Sequence, residues 1–203
     1  MKLGPRYKIA KRLGAPIFEK TQTQRFALSE QRSAANKKRK SFRNKSDFSR
    51  QLIEKQKLRL TYGLTEKQFS MYVKKALESH KNPPAILFGL LESRLDSFAY
   101  RAGLAPTRRA ARQMASHGHL LVNGTRTTVP SYQLAVGSEV SIREGSKEGA
   151  MFGGLTEKLK EFKMPEWVTF DVEKKAGTLT SAPAYSREDT AADMDAVFEY
   201  YTR

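Results

Sequence analysis

The sequence contains no cysteine, which removes disulfides, thiol nucleophiles and thiolate metal sites together. Histidine is nearly as scarce. His80, His117 and His119 are too few and too scattered for a histidine-based metal cluster, so neither metal nor cofactor is expected. No apolar run approaches the ~20 residues of a membrane-spanning helix. The opening MKLGPRYKIAKRLGAPIF is basic but lacks the uninterrupted apolar stretch of a secretory signal, although a mitochondrial-type presequence shares its acid-poor composition. A soluble, cytoplasmic protein without a membrane partner is expected. No glycine-rich phosphate loop follows a strand, because AMFGGL (150–155) lacks that context.

Acids are scarce where bases are abundant. The chain holds 37 Lys and Arg against 21 Asp and Glu, a net charge of +16. Residues 1–60 carry 18 basic and 4 acidic side chains, whereas residues 164–203 carry 4 and 8. A solvated charged face mixes its signs. This asymmetry instead implies a polyanionic partner gripped mainly by the N-terminal portion. The acidic end is expected to avoid that partner and to dock on a basic neighbour through Asp193, Asp195 and Glu199.

Periodicity divides the rest. Residues 1–45 show little apolar patterning, peak in NKKRKSFRNK (36–45), and predict an arm that orders on phosphates. Ser49 is expected to cap a helix containing Leu52, Ile53, Leu58 and Leu60, ending near Gly63. TEKQ from Thr65 is a capping box, followed by the helical stripe Phe69, Tyr72, Val73, Ala76. Pro83-Pro84 ends that unit. One further helix, with Leu87, Leu91, Leu95, Phe98 and Ala102 inward, closes at Gly103. Asn123-Gly124 is a strong hairpin signal within LLVNGTRTTV. Strands are also expected over 132–136 and 139–143, then in WVTFDVEK and AGTLTSAP, with a short helix in TEKLKEFK (156–163). The close, SREDTAADMDAVFEYYTR, predicts a capped helix with Met194, Val197 and Phe198 on one side.

The segment APTRRAARQMASHG poses an electrostatic question. Thr107 caps a helix whose first residues are Arg108 and Arg109, at the positive end of the dipole, where cations are disfavoured. A phosphate lying there makes the placement favourable. Arg112, Gln113 and the adjacent hairpin, with Asn123 and Arg126, extend the same surface. The other answer is a local acid such as Asp96 paired with Arg108.

These residues carry a family resemblance. LLESRLDSFAYRAGLAPTRRAARQMASHGHLLVNG, followed by SYQ and VSIRE, resembles the S-four RNA-binding module. GPRYKIAKRLG resembles the N-terminal arm, EKQKLRLTYGLTEKQF the first helical domain, and Trp167 with ADMDAVFEYY the ending of the bacterial uS-four family of the small ribosomal subunit. The order of these blocks makes the match specific over nearly the whole chain.

The resemblance implies an α+β fold. A basic extended arm (1–45) precedes a helical domain (46–90, completed by 180–203) and an inserted S-four module (91–179) of helices on an antiparallel sheet. It implies a primary binder of small-subunit ribosomal RNA at the five-way junction of the 5′ domain, nucleating assembly. It further implies contact with ribosomal protein S-five that affects decoding accuracy, with Arg43 and Lys45 near the path by which messenger RNA enters. Some family members bind zinc through cysteines in the arm, which this chain cannot do. The glycine-histidine turn usual before the first helical domain is replaced by SAANKKRKSF.

The candidate RNA contacts are therefore Lys2, Arg6, Lys8, Lys11, Arg12, Lys37, Lys38, Arg39, Lys40, Arg43 and Lys45 in the arm. Lys55, Lys57 and Arg59 belong to the helical domain, and Arg108, Arg109, Arg112, Gln113, His117, Asn123 and Arg126 to the module. Two alternatives remain: a non-ribosomal RNA-binding factor using the same module for regulation or ribosome rescue, and an RNA-modifying enzyme. The second needs an acid in the cleft of a separate catalytic domain. Asp96 instead reads as a structural partner of Arg94 or Arg101, with Glu92 and Asp96 as surface charge balance, so no catalytic role is expected.

Overall fold

The computed structural model describes residues 3–37, 46–79, 81–149 and 151–203, apart from 156, 158, 160, 161, 188 and 189. Among these residues lie eight α-helices and five strands, an α+β fold. No helix among them is long and apolar enough to cross a membrane. The chain forms two compact units, Met1–Glu78 with Ser186–Arg203 and Ser79–Tyr185. The division thus falls at residue 79, whereas the sequence reading placed it near 91.

The first unit is helical: α1 (Arg6–Leu13), α2 (Gln24–Lys37), α3 (Asp47–Thr61), α4 (Glu66–Glu78) and, from the far end of the chain, α8 (Met194–Tyr201). The expectation of an extended arm is corrected here. Leu13 and Phe18 bury against Leu60, flanked by Leu3, Ile9, Ile17 and Ile53, so α1 folds onto α3. The Lys11 ammonium ties α1 to α2 through the Ser29 carbonyl and the Ser29 and Ser33 hydroxyls at 2.7–3.0 Å. A few apolar residues at irregular spacing suffice because α3 supplies the rest of the core. The basic peak 38–45 lies outside the described residues.

Ser46, not Ser49, caps α3: its hydroxyl accepts the Ser49 amide at 3.3 Å. The helix stops before Gly63, whose φ of 62° lies in the left-handed region that favours glycine. Thr65 and Gln68 then form the reciprocal capping box, both bonds at 3.3 Å. Phe69, Val73 and Ala76 are fully buried on α4. α8 packs mainly on α3 and also on α4, burying Met194, Ala196, Val197 and Phe198.

The second unit begins with α5 (Pro83–Glu92), capped by Asn82, with the two prolines in its first turn. The single helix expected from here to Gly103 is two. α5 ends at Ser93, Arg94 takes extended dihedrals, and α6 (Leu95–Arg101) starts afresh. The residues expected as a strand at 132–136 explain the break. The Leu95 and Asp96 amides donate to the Tyr132 and Pro130 carbonyls, and the Leu134 amide donates to Ser93. The 130–134 backbone therefore docks on the helix break, leaving one isolated bridge, Arg94 to Gln133.

α7 (Arg108–Ser116) follows and packs on α6. Beyond it runs an antiparallel sheet of β1 (Leu120–Val122), β2 (Thr125–Arg126), β3 (Glu139–Ile142), β4 (Val168–Asp171) and β5 (Ala176–Leu179), in the order β2-β1-β3-β5-β4. The β1–β2 turn has φ of 49° at Asn123 and 77° at Gly124, the positive pair a type I′ hairpin requires. Leu120 pairs with Ile142 and Val122 with Val140, placing four buried apolar side chains on one face. Half of the helix expected over 156–163, residues 156, 158, 160 and 161, lies outside the described residues.

Candidate nucleic-acid interface

The α7 tip answers the electrostatic question from within the chain. Thr107 caps the helix as expected, its hydroxyl accepting the Ala110 amide at 3.1 Å. Arg108 then turns inward. It donates to Glu92 at 2.8 Å and to the Ser97 hydroxyl at 3.2 Å, and lies 4.7 Å above the Tyr100 ring. Glu92 also receives two bonds from Arg101 at 2.9 Å. Asp96 receives two from Arg94, at 2.9 and 2.7 Å, and one from Arg112 at 3.3 Å.

Glu92 and Asp96 are thus buried acids on consecutive helices, correcting the expectation of a surface pair on one helix. Each is shared by two arginines. The sequence reading considered Asp96 as the acid for Arg108, and Glu92 fills that role. A carboxylate withdrawn from water is tolerable only when its lone pairs are taken up, and the bidentate guanidinium geometry does this. The chemical consequence is a rigid, prepaired base under α7, with a surplus of two positive charges over the six groups.

Facing outward are Arg109, Gln113 and His117, all exposed, with Arg109 and Gln113 one turn apart. Arg126 joins them from β2, its guanidinium donating to the His117 carbonyl at 3.3 Å. That approach depends on Gly118: a Cβ there would stand 2.4 Å from Arg126 Nε, and φ is 71°. Asn123 is exposed, but its side-chain oxygen accepts the Glu139 amide at 2.9 Å, so its first task is to hold the hairpin. His119 faces another way, bonded through Nδ1 to the Ser146 hydroxyl at 2.9 Å.

In the first unit the candidate cations separate into two sorts. Lys8 and Arg12 form an exposed row on α1, opposite buried Ala10 and Leu13. Arg6 lies 6.0 Å from the centre of the Phe18 ring, and Lys11 is occupied by the α2 serines. Lys55 is buried, bonded to Glu66 at 2.9 Å and set 4.2 Å above the Tyr200 ring. Lys57 pairs with Glu54 at 2.7 Å, while Arg59 bonds Gln56 and lies 3.5 Å from Glu66. These three α3 cations are therefore engaged inside their unit. Lys2, Lys38, Arg39, Lys40, Arg43 and Lys45 lie outside the described residues, as does the side chain of Lys37.

Sequence reasoning passed over Arg25 and Arg32 on α2 and Arg50 on α3, all exposed. The seven-residue spacing of Arg25 and Arg32, which puts both on one helical side, was the available signal. The acidic end is also self-engaged. Asp193 caps α8 by accepting the Asp195 and Ala196 amides, Glu199 accepts from Gln51 at 2.9 Å, and Asp195 pairs with Arg187 at 3.3 Å.

Glu66 is the centre of the α3–α4–α8 contact. Burial alone would raise its pKa. Bonds from Lys55 and the Tyr201 hydroxyl, with Arg59 nearby, outweigh that and hold it below the ordinary 4.5. Burial, then the Glu66 bond and charge, push the Tyr201 hydroxyl well above its usual range.

Residues 2–92 match the family described as "Ribosomal protein S4/S9 N-terminal domain", and residues 93–140 match "S4 domain". The chain is 40% identical over 202 residues to "Small ribosomal subunit protein uS4" of Levilactobacillus brevis, with 98% of each chain covered. It is 41% identical over 204 residues to the protein of that name from Lactiplantibacillus plantarum, covering 98% of this chain and 97% of the other. The Listeria monocytogenes protein of the same name is 39% identical over 205 residues, with 98% of each covered. With both parts of the chain matched in order and the identity sustained from end to end, this protein belongs to the uS4 family.

Proposed function

We propose that this chain is a structural constituent of the small ribosomal subunit that binds its ribosomal RNA by shape. The exposed cations contact phosphates and 2′-hydroxyls, with few base-edge contacts. The observation that carries this reading is an exposed set of cations with no acid within ion-pair distance among the described residues: Lys8, Arg12, Arg25, Arg32 and Arg50 in one unit, Arg109 and Arg126 in the other. The names of the relatives support the ribosomal location.

Within that reading the RNA site is a folded junction in the 5′ domain of small-subunit RNA, and binding there nucleates assembly. Arg43 and Lys45 stand near incoming messenger RNA. Contact with ribosomal protein S-five, and through it an effect on decoding accuracy, falls to the acidic end. Asp195 is the acid best placed for that contact, because Asp193 and Glu199 are bound into α8 and α3.

The test is binding of purified protein to small-subunit RNA and to duplex DNA at matched salt, followed by co-sedimentation with small subunits in high salt. Preference for the folded RNA and persistence on the subunit are expected. Equal affinity for both nucleic acids refutes the proposal.

A further inference from the structure

The sequence reading assigned no RNA contact to α4, yet its outer face is one-sided. At 100° per residue, Lys67, Met71, Lys74 and Glu78 fall within about 60° of one another, and Lys75 borders them. All five are exposed. Diametrically opposite are Phe69, Val73 and Ala76, each fully buried. The helix therefore has no rotational freedom to hide its lysines.

Two observations set this face apart from an ordinary solvated one. First, none of Lys67, Lys74 and Lys75 has an acid within ion-pair distance among the described residues, whereas Lys55, Lys57 and Arg59 on α3 all do. Glu66, next to Lys67 in sequence, is turned to Lys55 and Tyr201. Second, Lys67 sits in the first turn of α4, where the helix dipole disfavours a cation. Lys75, in the last turn, is favoured there by the dipole, so that explanation serves one lysine and not the other. Between the lysines Met71 is 58% exposed, an unbranched apolar side chain able to adapt to a sugar surface.

We propose that this face of α4 is a second RNA-contacting surface, with Lys67, Lys74 and Lys75 on backbone phosphates and Met71 against the ribose between them. Charge complementarity commits the occupant. Three lysines against one glutamate leave a net charge of +2 on a strip about 16.5 Å long from Lys67 to Glu78, by the 1.5 Å rise per residue. A strip of that length spans more than one phosphate of a strand. The inference rests on the RNA-binding reading above, and specifies a surface that reading does not include.

The test compares the full-length protein with a K67Q/K74Q/K75Q variant, using transcribed small-subunit RNA across a salt series. The slope of log affinity against log salt should flatten by about two units, as expected for loss of two to three phosphate contacts. Thermal unfolding should be unchanged, because none of the three side chains has an ion-pair partner to lose among the described residues. An R109Q/R126Q variant separates the two readings. If it weakens binding while the lysine variant keeps wild-type affinity and slope, the α4 surface is refuted and RNA binding stands. If the wild-type protein itself shows no preference for the RNA, both fall.

Discussion

At the residue scale, Glu92 decides how Arg108 is used. Its carboxylate is buried and shared between Arg101 and Arg108, so replacing it with glutamine strands two guanidinium groups over a part-apolar base. Removing one partner of a buried ion pair typically costs about 3–5 kcal/mol. Glu92→Gln should therefore lower the denaturation midpoint substantially, measured by urea unfolding. Gly118→Ala should also destabilise, since its Cβ collides with Arg126 and the residue holds a positive φ. The cap at Thr107 and the Asn123-Gly124 turn were legible because each is specified by its nearest neighbours. Glu92 was not, for it reaches Arg108 across sixteen residues and two helix ends. Nothing in the local pattern distinguishes that acid from a phosphate.

At the element scale, α8 completes a helical unit begun by the first residues. Its Tyr201 hydroxyl bonds Glu66 at 2.7 Å while Tyr200 covers Lys55. Glu66 has a depressed pKa in the folded protein, so its contribution is present above 4.5 and is lost as pH falls through the lower folded value. The melting temperature of Glu66→Gln should accordingly lie below that of wild type at neutral pH, and the gap should close on acidification below about 4.5. A constant gap across that range would show that the charge of Glu66 is immaterial.

Amphipathic spacing made α3, α4 and α8 readable, and the capping box marked the start of α4. The segment 132–136 misled because its apolar residues suit a strand, whereas Leu134 anchors a loop whose backbone satisfies the first turn of α6. The N-terminal helices were missed for the opposite reason. The apolar residues around α1, such as Leu13 and Phe18, become a core only when Leu60 of α3 is folded beside them.

At the scale of the whole molecule, net charge overstates the surface available to a polyanion. Of the cations that sequence reasoning assigned to RNA, Lys55, Lys57, Arg59, Arg108 and Arg112 are paired with carboxylates of the protein itself. A cation already neutralised by a fixed carboxylate displaces no counterion when a phosphate arrives, so it adds little to the salt dependence of binding. Arg109 and Arg108, neighbours in sequence and equal in charge, should consequently behave differently. Arg109→Gln should leave stability within about 0.5 kcal/mol of wild type and reduce the salt slope by roughly one unit per lost phosphate contact. Arg108→Gln should do the reverse, lowering stability by leaving buried Glu92 with one fewer partner while the slope is maintained under conditions where the protein remains folded. Measuring both variants by urea unfolding and by RNA titration at several salt concentrations assigns each arginine to the fold or to the ligand. An equal loss of slope in the two would mean that Arg108 leaves Glu92 when RNA binds.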